Sequence, residues 1–234
     1  MPAPLDWDAT DLVVFDVDGT LYDAGRLRGA MARRLALDAL RTRSLRTLSI
    51  LRVFRQVREE LAVEGSPRFV EAQYARTAQR TGCTPEEVRA RVQEWMERRP
   101  LPLLAPCRHA RVEQLFDALQ AAGKRVAVLS DYPAHAKLAA LGLRADPVVC
   151  AHDPQVGRLK PDPSGLHAIL AATGVPAHRA VMIGDRFDRD AAAAQRAGLR
   201  ALVRSRRSHA TVPTFRRFDD PVFAPVLERA GAAT

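Results

Sequence analysis

Residues 13–21 read VVFDVDGTL, and no other stretch limits the possible folds as tightly. Val13, Val14 and Phe15 form an apolar run of the kind found in strands covered on both faces. The run leads directly into Asp16 and Asp18, followed by Gly19 and Thr20. Side chains alternate along a strand, so the two carboxylates leave its end on the same side. At about 5 Å they repel by roughly 3 kcal/mol at an effective dielectric near 20. A buried strand that delivers such a pair needs a reason to keep it.

The rest of the chain supplies a setting. From about residue 23 to 100 the pattern is helical. Leu27, Met31 and Leu35 recur at i, i+4 and i+8, and Leu48, Leu51, Phe54, Val57 and Leu61 mark a longer amphipathic stretch. Ser66-Pro67 reads as an N-cap with a first-turn proline. Thr84-Pro85-Glu86-Glu87 reads as a capping box, with Val88, Val92, Trp95 and Met96 on one face behind it. Pro100 and Pro102 close the segment. The unit amounts to about four helices, carries no catalytic constellation and shows no internal repeat.

Beyond residue 103, helix and strand alternate. Val112, Leu115, Phe116 and Leu119 form a stripe ending at Gly123, and RVAVLS (125–130) is a strand. A short helix through Leu138 and Leu141 leads to PVVCA. A helix from Asp162-Pro163 through Leu166 and Leu170, the strand AVMIGD, the helix DAAAAQRAG and the strand ALVRS follow. Such repetition implies a parallel sheet covered on both faces. Residues 206–234 are weakly patterned, with one helix expected around Val222 to Arg229.

Three strands end in polar residues: Asp16, Ser130 and Asp185. Ligands of open parallel sheets bind outside these carboxyl ends. Ser130 and Asp185 precede helix starts, whose free N–H groups suit an anion. In GRLKPDP (157–163), Lys160 precedes a proline and is expected in extended chain. Two carboxylates, a hydroxyl, an ammonium and a further acidic cluster suit a phosphate, a divalent cation and a nucleophile.

In this order, DVDGTL, the serine of VLSDYP, the lysine of GRLKP, and GDRFDRD resemble the four motifs of the haloacid dehalogenase-like hydrolases. The resemblance spans residues 11–203. It implies a Rossmann-like three-layer α/β core with a parallel sheet, residues 1–22 and 101–205. It also implies an inserted all-helical, C1-type cap, 23–100, with 206–234 as a C-terminal extension. On this resemblance Asp16 is the nucleophile that forms an aspartyl-phosphate, and Asp18 is the general acid and base. Mg²⁺ is held by Asp16, the Asp18 carbonyl and Asp185, with Asp190 as a direct or outer partner. Ser130, Asp131 and Lys160 bind the phosphoryl group, and Gly19, Thr20 and Gly184 support the site, Thr20 by orienting Asp18. The activity implied is Mg²⁺-dependent hydrolysis of a small phosphorylated metabolite: phosphoglycolate, a sugar phosphate, or a nucleoside or flavin-precursor monophosphate. A phosphomutase, and a non-catalytic arginine-rich binding protein on the same fold, are the alternatives. Dehalogenases of the family lack a carboxylate two positions after the nucleophile. Asp131 stands where the family commonly has Asn, and Arg186 where it has Ser or Thr.

Composition removes several other classes. A net charge of +9 raises nucleic acid as a partner, yet nearly all the basic residues are arginines mixed with glutamates, only Lys124, Lys137 and Lys160 being lysine. A solvated surface accounts for that pattern. No apolar run is long enough for a membrane span, and MPAPLDWDATD has neither the basic region nor the apolar core of a signal peptide. Cys83, Cys107 and Cys150 lack metal or redox spacing, which fits reduced thiols in a cytoplasmic protein. His135, His152 and Asp188 read as solvated surface. A calcium loop at Asp16 is excluded, since Leu21 and Gly25 do not continue its ligand pattern. Oligomeric state is not legible.

Overall fold

The computed structural model describes residues 5–231, so residues 1–4 and 232–234 of the expected core and extension lie outside the described residues. Its centre is a parallel sheet of six strands among these residues. They are β1 (Leu12–Phe15), β2 (Arg125–Ser130), β3 (Val148–Cys150), β4 (Ala180–Gly184), β5 (Arg200–Arg204) and β6 (Thr214–Phe215), in the order β3-β2-β1-β4-β5-β6. In register, Val13 lies between Val126 and Val181, and Phe15 between Val128 and Ile183. These residues share one hydrophobic cluster, while Leu12, Val14, Ala127, Leu129, Ala180 and Met182 share another. The period-2 alternation of each strand thus divides its side chains between two cores.

Helices α1 (Ala24–Thr42), α2 (Arg46–Glu64), α3 (Phe69–Thr81) and α4 (Pro85–Val92) form the insertion after β1. Helices α5 (Val112–Ala121) and α6 (His135–Leu141) cover one face of the sheet, with α9 (Ala224–Gly231) beside α5. Helices α7 (Ser164–Thr173) and α8 (Ala192–Arg196) cover the other. The result is the expected three-layer α/β architecture. No helix among the described residues is long and apolar enough to cross a membrane.

Of the capping box at Thr84 the hydroxyl half forms, accepting from the Glu87 N–H at 3.2 Å, while the Glu87 carboxylate accepts from Arg46 at 2.9 Å. The expected start of α3 at Ser66-Pro67 does not form. The helix begins at Phe69 because Arg68, in the left-handed region, docks its N–H on the Gly157 carbonyl at 2.9 Å and drives Phe69 into full burial. Leu48 is exposed: the buried stripe of α2 runs through Thr47, Ile50, Leu51, Phe54, Val57 and Leu61, and Leu48 lies a 100° step off it. ALVRS is not the last strand. Thr214 and Phe215 add β6, and Phe215, Phe218 and Phe223 pack into the core with α9, so most of the extension is integral to the α/β unit.

Candidate active site

Strand β1 is central, and the chain leaves β2 and β3 on one side of it to place β4 on the other. Ligands of such sheets bind in the crevice at this switch point. Asp16 stands there, its N–H still in the ladder to the Ile183 carbonyl at 2.9 Å. One helical turn follows, closed by Leu21 N–H to the Val17 carbonyl at 3.0 Å. Residues four apart therefore face each other. Thr20 donates to Asp16 Oδ2 at 3.0 Å, and Tyr22 donates to Asp18 Oδ1. The expected role of Thr20 is corrected by this turn: it orients Asp16 and not Asp18.

Lys160 resolves part of the charge conflict. Its Nζ lies 2.6 Å from Asp16 Oδ1 and 2.6 Å from Asp190 Oδ1, almost wholly buried. It sits in a turn before a cis peptide to Pro161, not in extended chain. Burial works against its charge, but Asp16, Asp190 and Asp131 hold the ammonium well above the ordinary lysine range. Burial raises the Asp16 carboxyl well above the ordinary range; Lys160 opposes this, and Asp190, Asp185 and Asp18 add to it.

Asp190 is fully engaged. Its Oδ1 accepts from Lys160, and its Oδ2 accepts from the N–H groups of Asp185 and Arg186, both at 3.0 Å. Those two N–H groups, expected to be open to an anion, are therefore taken. A Cβ at Gly184 would meet Asp190 at 2.3 Å, and one at Gly19, where φ is +97°, would meet Asp185 Oδ2 at 2.2 Å. Both glycines let the acidic residues close in. Oxygens of Asp16, Asp185 and Asp190 lie within 4.8 Å of one another, a hard-oxygen set that fits a divalent cation such as Mg²⁺. Burial, then Asp190, pushes the Asp185 carboxyl up to about 6.

Ser130 ends β2 fully buried, its hydroxyl accepting from the Tyr132 N–H at 3.2 Å and keeping its own proton to donate. Asp131 holds the lysine loop in place, its Oδ1 accepting the Lys160 N–H at 3.0 Å. Asp16, Asp18, Asp131, Lys160, Asp185 and Asp190 line one cavity together with Tyr132, whereas Ser130 is buried and not part of its wall.

Sequence reading missed four residues. Lys137 of α6 donates to both oxygens of Asp18 at 2.5 and 2.7 Å. Burial raises the Asp18 carboxyl, but Lys137 and Tyr22 outweigh it and hold Asp18 below the usual range. The one signal was a lysine in a chain that otherwise uses arginine. Arg58 and Glu59 of α2 reach from the insertion to the core. The Arg58 guanidinium lies 3.9 Å from the Tyr132 ring centroid and donates to the Asp131 carbonyl. Glu59 accepts from Arg186 at 3.0 Å and from buried Arg189 at 2.7 Å, and Arg189 in turn donates to the Lys160 carbonyl at 2.5 Å. Arg186 also binds Asp188 at 2.7 Å, so Asp188 is paired rather than merely solvated. A cavity of about 390 Å³ lies between the helical insertion and these groups.

Cys150, His152 and Asp153 also approach within 4.8 Å, a grouping their sequence spacing did not suggest. Burial pushes the Cys150 thiol up to about 11, so it stays protonated.

Fold and site together define an α/β protein with a carboxylate cluster at the carboxyl edge of a parallel sheet. The haloacid dehalogenase-like hydrolase family matches residues 10–198, and the chain belongs to it. It is similar to a phosphoglycolate phosphatase of Rhodospirillum rubrum, 32% identical over 199 residues that cover 82% of this chain and 78% of the relative. It is also similar to a glyceraldehyde 3-phosphate phosphatase of Methanopyrus kandleri, 32% identical over 205 residues, 83% of each chain. In fold it resembles the crystal structure of a 2-haloacid dehalogenase from Pseudomonas syringae, with TM-score 0.64, 24% identity, and coverage of 94% of this chain and 99% of the other.

Proposed function

We propose that this hydrolase is a cytoplasmic, Mg²⁺-dependent phosphatase of a small phosphorylated metabolite, working through an aspartyl-phosphate on Asp16. The observation that carries the reading is Asp18, a carboxylate held beside Asp16 by Lys137 and Tyr22. Displacing a halide needs no proton, whereas expelling an alkoxide does. Both phosphatase relatives act, by name, on short phosphorylated metabolites, which favours phosphoglycolate and small sugar phosphates among the candidate substrates.

Asp16 attacks phosphorus as the bond to the leaving oxygen breaks, and that oxygen takes a proton from Asp18. Asp18 then removes a proton from water as the water oxygen attacks phosphorus, releasing phosphate and restoring Asp16. The arriving phosphoryl charge opposes Lys137 and lets Asp18 hold the proton that the first step requires. Lys160 holds Asp16 in line and neutralises charge on the phosphoryl oxygens, while Ser130 donates to one of them. Mg²⁺, held by Asp16, the Asp18 carbonyl and Asp185, would supply Lewis-acid stabilisation of the phosphoryl charge. Asp190 acts from behind by fixing Lys160 and Asp185. Residues 23–100 act as the cap that excludes water and selects the substrate, latched by Arg58 and Glu59.

A screen of phosphorylated metabolites with and without Mg²⁺ tests this. Hydrolysis of a small phosphoester should vanish on chelation, return with Mg²⁺ and fail with Ca²⁺, whose larger and looser coordination misplaces the phosphoryl group. Undiminished hydrolysis after chelation would refute the metal assignment. No hydrolysis of any phosphoester would refute the phosphatase.

A further inference from the structure

The catalytic cavity uses few of the arginines behind the net charge of +9. A second cavity of about 600 Å³ adjoins it, and Arg28, Ala24 and Asp185 line both. Its other basic walls are Arg204, Arg206, Arg216 and Arg217. The C-terminal segment builds it: pairing of β5 with β6 sets Arg204 opposite Phe215 and so brings Arg216 and Arg217 alongside.

Of these five guanidinium groups, only Arg217 has an ion-pair partner among the described residues, Asp219 at 2.8 Å. Arg216 donates to the Arg206 carbonyl at 3.2 Å, and Arg204 has a buried Nε with no partner. Burial works against the Arg204 charge, with Asp23 and Asp185 opposing. The two acidic walls have other duties. Asp23 caps α1 through the Arg26 N–H at 3.0 Å, and Asp185 belongs to the acidic cluster. Five guanidinium groups thus face two carboxylates around one cavity; the excess of like charge repels, and an oxyanion relieves that repulsion. Planar guanidinium groups match phosphate and carboxylate oxygens in particular.

We propose that this cavity is a second anion subsite, and that the substrate is a phosphomonoester carrying a further phosphate or carboxylate group. The inference rests on the phosphatase reading for its first anchor: one phosphoryl group lies at Asp16 while the other anion lies among Arg204, Arg206 and Arg216. It gives the C-terminal segment a function and uses charge that the surface alone does not require.

The test compares α,ω-alkanediol bisphosphates and ω-carboxyalkyl phosphates with alkyl monophosphates of equal length. At the chain length that spans the two cavities, one of the two-anion series should show a KM about tenfold below the monophosphate, the scale expected of two partly exposed charged contacts. The series that does so identifies the second group. In the Arg206→Ser, Arg216→Ala double variant the preference should collapse to about one, with monophosphate turnover and the urea midpoint unchanged. Equal handling at every length in both series, or a preference that survives the double variant, overturns the subsite. If nothing is hydrolysed, the phosphatase reading fails separately, and calorimetry decides this one. A tenfold loss of bisphosphate affinity in the double variant upholds the subsite, and an unchanged affinity rejects it.

Discussion

Replacing Lys160 with Met keeps the length of the side chain and removes the charge on which the acidic cluster depends. The ammonium lies 2.6 Å from both Asp16 Oδ1 and Asp190 Oδ1, and all three side chains are buried. Each attraction is worth about 4 kcal/mol before desolvation, taking about 4 Å between charge centres and a dielectric near 20. Desolvation of three charges offsets much of that sum. The net loss therefore follows buried pairs that lose one partner, about 3–5 kcal/mol. Asp16, already driven upward by burial, can take up a proton and relieve part of the strain, which places the expected loss near the lower figure.

The assay is equilibrium urea unfolding of metal-free protein at pH 7.5. The sign of the pH dependence follows from the two shifts. Lys160 is raised in the folded state, so its contribution to the wild type is complete below the ordinary lysine range and constant from pH 5 to 8. A carboxyl raised in the folded state weakens folding once the pH exceeds its unfolded value, fully so above the raised value, and the weakening shrinks as the pH falls from the raised value toward the unfolded one. The variant should therefore regain stability toward pH 5 and narrow its gap from the wild type. A loss under about 1 kcal/mol at pH 7.5, the range of an exposed pair, would show that Lys160 does not carry the cluster. A gap indifferent to pH would show that no carboxylate was left unbalanced.

Three further outcomes are expected. Asp18→Asn should slow an alkyl phosphate by about 10²–10⁴-fold and p-nitrophenyl phosphate far less in single-turnover phosphorylation, because only the poorer leaving group needs a proton; equal losses would leave Asp18 as scaffolding. Lys137→Met should lower alkyl phosphate turnover about tenfold or more while Lys137→Arg keeps most of it, since what Asp18 requires is a cation at that position; full activity of the Met variant in steady-state assays would remove Lys137 from the site. Mg²⁺ affinity measured by calorimetry should weaken as the pH falls through about 6, where Asp185 takes up a proton and ceases to be a ligand, and constant affinity from pH 7.5 to 5 would place the metal elsewhere.

Much of this molecule is legible in the order of its residues. The run Val13-Val14-Phe15 is buried as its composition demands, and the alternation after residue 103 becomes the sheet and its two covering layers. Those signals are local: the apolar period decides strand or helix within a few residues. The errors are mostly local signals overruled by distant contacts. Ser66-Pro67 offers a helix start, but the Gly157 carbonyl captures the Arg68 N–H and shifts the helix onward. Thr214-Phe215 is too short to register as a strand in sequence, and it exists because β5 offers an edge.

The candidate site divides along the same line. Residue types announce chemistry, so Asp16, Asp18, Ser130 and Asp185 could be picked out at or just beyond strand ends, and Lys160 in the loop before a proline. Partnership is not announced. Lys160 meets Asp16 across 144 residues, and Lys137 meets Asp18 across 119. Which lysine serves which carboxylate is decided by the order of strands in the sheet. With β2 on one side of β1 and β4 on the other, helix α6 after β2 brings Lys137 to Asp18, while the loop after β3 brings Lys160 to Asp16 and Asp190. Two aspartates that repel each other at a strand end are therefore not one problem with one answer. Asp16 is held by a buried ammonium shared with Asp190, and Asp18 by a separate lysine at the rim of the cavity. That separation leaves one carboxylate fixed as an attacking group and the other close to solvent, where a base must exchange its proton.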